Sequence, residues 1–189
     1  MILSLAKRIT DKCIELHIIS ENEIVYQYGF AMLLSYSIGA TFILMYGIFS
    51  SQLLESIIYL ALFDKIRCHA GGYHANSYLK CNLSFISLFF VYITISKLTS
   101  FTFIFLLASL LFIAIYKFLP IEHPNKPLSA KQRIESKRIV IFRIIICLIV
   151  ALLLCKSSQL GNYICTCIVI IILLCILQII INRRRKSHE

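Results

Sequence analysis

Long uncharged runs separated by short basic segments set the pattern of this chain. Between Glu23 and Glu55 lie 31 residues without Asp, Glu, Lys or Arg, and further uncharged runs cover 56–63, 82–96, 98–116, 144–155 and 157–182. A helical membrane span needs about 20 mostly apolar residues. Residues 24–63, interrupted by Glu55 alone, are enough for a hairpin of two spans turning near Ser50-Ser51. The pattern therefore predicts six hydrophobic helices, the third and fifth of them short. Ahead of them Ile2, Leu5, Ile9, Cys13 and Leu16 recur on one helical face, with Lys7, Arg8, Asp11, Lys12 and Glu15 elsewhere. Residues 1–23 are thus expected to hold an amphipathic helix lying on the inner membrane surface. They lack the apolar stretch and small-residue cleavage site of a removable signal peptide.

Composition agrees with this pattern. A chain of 189 residues that is 59% hydrophobic and 15% charged, with a mean hydropathy of +0.85, is too apolar for an ordinary soluble domain. The expected fold is all-α, a polytopic membrane bundle forming a single domain over 1–189. In a soluble protein a net charge of +10 would suggest nucleic acid; here it follows topology instead. With the N-terminus in the cytoplasm, 17 of the 19 Lys and Arg residues fall on the cytoplasmic side, leaving Lys97 and Lys156 in the outer turns. Both termini are then cytoplasmic, and no nucleic-acid partner is expected. The eight cysteines do not suggest a disulfide framework. Cys13, Cys68 and Cys81 fall on the reducing side, and Cys147, Cys155, Cys165, Cys167 and Cys175 lie in the last two spans as small packing residues.

Titratable, nucleophilic and conformationally permissive residues concentrate in one cytoplasmic segment, 64–81. Gly71-Gly72 permits backbone dihedrals closed to other residues, and Asn76 or Ser77 can cap a helix continuing through Tyr78, Leu79 and Cys81. Cys81 would then lie near a helix start, where backbone N–H groups and the dipole favour a thiolate. His74 supplies a base. On one straight helix the two side chains would be about 10 Å apart, too far for proton transfer. The favoured geometry leaves His74 in a loop ahead of a helix starting near Ser77, so that the imidazole folds back over Cys81. Asp64 either orients His74 or pairs with Lys65 or Arg67, and Arg67 offers a bidentate fork for an oxyanion or a substrate carboxylate. A structural zinc site of Cys68, His69, His74 and Cys81 is disfavoured, because Cys68 and His69 are adjacent and could hardly both reach one tetrahedral ion. No metal and no cofactor are expected.

Arg67, Gly71-Gly72-Tyr73-His74-Ala75 and Cys81, set in a small polytopic chain, resemble the accessory gene regulator B (AgrB) family, the membrane cysteine endopeptidases of Gram-positive quorum sensing. The resemblance extends to the later proline-rich segment and to the span pattern. It implies His74 and Cys81 as the catalytic pair, Arg67 and Gly72 as supporting positions, an AgrD-like propeptide as substrate and a homodimer in the cell membrane. The reaction implied is removal of the propeptide's C-terminal part through an acyl-thioester, with ring closure to a thiolactone or lactone signal. A small transporter or peptide exporter, in which His74 and Cys81 only pack or gate, is the alternative. Against it, the spans carry almost no ionisable residue beyond Arg143 and no repeated broken-helix pattern.

The remaining cytoplasmic crossing, 117–138, carries Pro120, Pro124 and Pro127 and is expected to be stiff and non-helical at first. Ser129 and Gln132 then form a capping-box pattern opening a basic helix toward the fifth span. Its Lys131, Arg133, Lys137 and Arg138 suit anionic lipid or an acidic peptide tail. Arg143 is expected either to snorkel to the interface or to face the bundle interior.

Overall fold

The computed structural model describes residues 2–18, 22–72, 77–122, 128–155 and 159–186. The described residues form seven α-helices and no strand: α1 (Ile2–Glu15), α2 (Glu23–Phe49), α3 (Leu53–Ala70), α4 (Tyr78–Leu98), α5 (Phe101–Ile115), α6 (Ala130–Leu154) and α7 (Leu160–Lys186). This is the all-α, membrane-type bundle expected from the pattern, one amphipathic helix followed by six hydrophobic ones. Three of them, α2, α4 and α7, are long and apolar enough to cross a membrane. The expected hairpin is present, since α2 stops at Ser50, Ser51 takes a left-handed φ of 55° and α3 begins at Leu53.

The helix α7 forms the core. Residues 163–172 are buried without a break, so over that stretch its side chains face protein in every direction, as an all-round hydrophobic segment requires. It packs against α3, α4, α5 and α6. Cys165, Cys167 and Cys175 lie buried on it as free thiols. Around it α3 and α4 contribute an aromatic cluster, with Tyr59 5.4 Å from Phe89 and 5.1 Å from Tyr92, ring centre to ring centre. The two phenols stay satisfied in this apolar setting by donating to backbone carbonyls: Tyr59 Oη to Phe85 O at 3.0 Å, and Tyr92 Oη to Glu55 O at 3.3 Å. One stripe of α4 (Phe85, Phe89, Tyr92, Ile93, Ser96) is buried inside the bundle.

The first helix packs on α2 through Ala6 and Thr10, the threonine hydroxyl donating to Ala6 O at 3.0 Å. Its apolar stripe is not consumed by that contact. Leu5 and Leu16 are exposed, and Ile2, Ile9 and Cys13 are only partly covered, which leaves the stripe free for an apolar surface. At the opposite end of the sequence, α6 runs unbroken from the basic segment into the apolar run. Its start is the expected capping box: Gln132 N donates to Ser129 Oγ at 3.3 Å, and Ser129 N to Gln132 Oε1 at 3.0 Å.

Candidate functional site

The segment 64–81 divides into three parts with different backbone behaviour. Asp64, Lys65, Arg67, Cys68 and His69 are helical, carried on the last turns of α3. The helix ends at Gly71, whose N–H still donates to Arg67 O at 3.0 Å while its own φ of 74° and ψ of −148° turn the chain away. That combination is essentially closed to residues with a side chain. Gly72 follows with φ 114°. His74 lies in 73–76, outside the described residues. Ser77 is the N-cap of α4, and its side chain accepts from Lys80 N at 3.3 Å.

Cys81 therefore sits at the end of the first turn of α4, its N–H bonded to Ser77 O at 2.9 Å. This is the helix start near Ser77 that the sequence led us to expect. Helical side chains lean toward the N-terminus, so the half-buried thiol overlies the turn opened by Ser77. Arg67 belongs to the same neighbourhood, within electrostatic reach of Cys81, Tyr59 and Cys175. Its guanidinium carbon stands 5.1 Å over the centre of the Phe63 ring, within cation–π distance. Asp64 is exposed, and the group it faces electrostatically is Tyr36 on α2.

Two contacts that the sequence does not reveal clamp the glycine turn. On one side lies the crossing segment after α5, where Ile121 N donates to Ala70 O at 2.9 Å and Gly71 and Ile121 form an isolated parallel bridge. On the other lies α7: the Gly72 backbone packs against Leu174 and Cys175, and Cys175 Sγ stands 3.9 Å from Gly71 O. A methyl group added to Gly71 would meet Ile121 O at 2.0 Å, whereas one on Gly72 would meet Leu174 only at 3.5 Å. Of the two glycines, Gly71 is the sterically locked one. The two are equivalent in the sequence pattern, which holds no signal for Ile121, Leu174 or Cys175, ordinary apolar positions until the chain is folded.

The crossing segment is itself tied down. Asn182 near the end of α7 donates to Glu122 O at 3.1 Å and accepts from the buried Gln178 at 2.8 Å. Glu122 accepts from Arg133 Nε at 2.7 Å, and residues 123–127, with Pro124 and Pro127, lie outside the described set. Arg143 faces the bundle, donating to Lys65 O and, at 3.0 Å, to His69 Nδ1. Cys68 Sγ is 2.8 Å from the same imidazole nitrogen. Because a guanidinium only donates, His69 Nδ1 acts as acceptor in this cluster. Among the described residues no three His, Cys, Asp or Glu side chains are grouped to hold a metal ion.

A model of the accessory gene regulator B family matches residues 4–181. The chain belongs to the AgrB family. Comparison with curated proteins and with solved structures gave no match. Membership together with the apolar helices makes the chain a membrane protein of a family involved in processing an Agr propeptide. Nearly the whole bundle falls within the match, including α3, the glycine turn, α4 and the crossing segment.

Proposed function

We propose that this AgrB protein is a membrane cysteine endopeptidase that cleaves an AgrD-like propeptide, with Cys81 as nucleophile and His74 as base. The observation that carries the reading is the family match across 4–181, which includes a half-buried Cys81 in the first turn of α4, within electrostatic reach of Arg67. His74 takes the thiol proton, and the sulfur attacks the carbonyl carbon of the scissile peptide bond. Collapse of the tetrahedral adduct breaks the C–N bond; the leaving amine takes the proton from His74, and the acyl group stays on Cys81 as a thioester. A Cys or Ser side chain of the bound propeptide then attacks that thioester and closes the ring, returning the sulfur. Exclusion of water from a site at the membrane surface favours ring closure over hydrolysis.

Arg67 provides a planar cation for the oxyanion or a substrate carboxylate. Gly71-Gly72 sets the path of the chain into His74, and Asp64 acts on the same segment as a supporting charge. The enzyme is a multi-pass protein of the cell membrane of a Gram-positive bacterium, with both termini and the site on the cytoplasmic side, and it acts as a homodimer. The basic residues support that orientation, 17 of 19 falling on one side of a six-span arrangement.

The test is co-expression with a tagged AgrD-like propeptide, followed by mass spectrometry of the peptide products. Wild type releases the C-terminal fragment and forms a hydroxylamine-sensitive adduct. Cys81→Ala and His74→Ala, at normal protein level, release none. Unchanged processing in Cys81→Ala would end the peptidase reading in favour of a transport role.

A further inference from the structure

We infer that the cavity beneath the crossing segment binds an anionic phospholipid of the bilayer. This cavity, of about 550 Å³, opens between residues 117–122, the start of α6 and the end of α7. Three cations, Lys117, Lys137 and Arg183, line it in addition to the Arg133–Glu122 ion pair, which is internally neutral. Lys137 is held at the site, its Nζ donating to Lys117 O at 3.2 Å. The remaining lining includes the apolar side chains of Phe118, Ile134 and Ile179. Phe118 is 54% exposed and Ile134 69% exposed, side chains that stay uncovered by protein beside a positive rim.

The ends of the apolar runs favour a lipid occupant. The uncharged run 98–116 ends at Lys117, and the run 157–182 ends at Arg183, so both cations stand where an apolar helix leaves the hydrocarbon. A site with positive charge at that level and exposed apolar surface beside it matches a phosphodiester with acyl chains. An acidic peptide would satisfy the rim and leave Phe118 and Ile134 uncovered. Basic pockets between helices on the cytoplasmic side are a recurrent way to hold anionic headgroups. The inference does not depend on the peptidase reading, since none of these residues belongs to the proposed catalytic set.

The full chain, purified in neutral detergent, is titrated with phosphatidylglycerol or phosphatidylcholine and followed by native mass spectrometry. Each basic residue at an anionic surface is worth about fivefold in affinity, so the triple variant Lys117→Gln/Lys137→Gln/Arg183→Gln is expected to bind phosphatidylglycerol on the order of a hundredfold more weakly. Phosphatidylcholine binding is unchanged. A charge-matched variant at distant positions, Arg8→Gln/Lys12→Gln/Lys97→Gln, keeps the preference for phosphatidylglycerol. Should the pocket triple variant misfold, Arg183→Gln and Ile134→Ser, both at exposed side chains, serve singly and are each expected to weaken phosphatidylglycerol selectively. Equal losses in the pocket and distant variants would overturn the inference. So would free glycerophosphoglycerol binding as tightly as the lipid, or displacement of the lipid by an oligoglutamate peptide at matched concentration.

Discussion

Gly71→Ala is the substitution whose effect follows most directly from the geometry. The new methyl would lie 2.0 Å from Ile121 O, a backbone atom that cannot swing away like a side-chain tip. The residue would also hold φ 74° and ψ −148°, a conformation costing about 1–3 kcal/mol for any residue with a Cβ. Relief requires moving the crossing segment, which breaks the Ile121 N–H bond to Ala70 O at a further cost of about 1 kcal/mol. The local penalty is thus about 2–4 kcal/mol, and it falls on the turn that leads into His74. A displacement of about 1 Å in a catalytic group lowers rate by about a hundredfold. Gly72→Ala meets nothing closer than 3.5 Å, and only its φ of 114° opposes it. Propeptide cleavage in membranes, normalised to protein level, is therefore expected to fall about a hundredfold for Gly71→Ala and by much less for Gly72→Ala. Thermal unfolding in detergent separates loss of the turn from loss of the bundle. Wild-type cleavage in Gly71→Ala, or a more damaging Gly72→Ala, would refute the clamp.

Other substitutions probe the same framework. Arg67→Lys keeps the charge but loses the planar fork over Phe63, and cleavage should fall roughly tenfold or more; full activity would rule out a bidentate role. Ser77→Ala removes the cap that accepts from Lys80 N, at about 1 kcal/mol, and a severalfold loss of cleavage restored by Ser77→Asn is expected in the same assay. Tyr59→Phe deletes the donor to Phe85 O and should lower stability by about 1 kcal/mol in a detergent melt while leaving cleavage intact.

The helix inventory was legible because charge and turn chemistry mark helix ends locally. Ser50-Ser51, Ser77 and the Ser129–Gln132 box are all signals contained within a few residues, and each falls at a helix end in the structure. Which face of a helix turns inward was not legible. In a membrane helix the lipid-facing and core-facing stripes are equally apolar, so nothing in the run 82–96 distinguishes Phe85, Phe89 and Tyr92, which are buried, from Phe90 and Val91, which are exposed. Arg143 illustrates the same limit. Its position on α6 is evident, but its choice of Lys65 O and His69 over the interface depends on α3, 74 to 78 residues away. For the candidate site, the cap and the glycines could be read, while their clamps could not.

Those clamps explain why the most buried helix is also the one that bears on the site. Leu174 and Cys175 touch the glycine turn directly, and Asn182, two turns further on, holds the crossing segment through Glu122 O. Ile121, between Pro120 and Glu122, closes the circuit at Ala70. A buried amide such as Gln178 is costly in an apolar helix unless bonded, and here its partner is the same Asn182. The polar pair thus ties the crossing segment to a helix that cannot easily shift, since 163–172 are packed on all sides. The glycine turn inherits its rigidity from both, which is what the proposed role of the segment beside it requires.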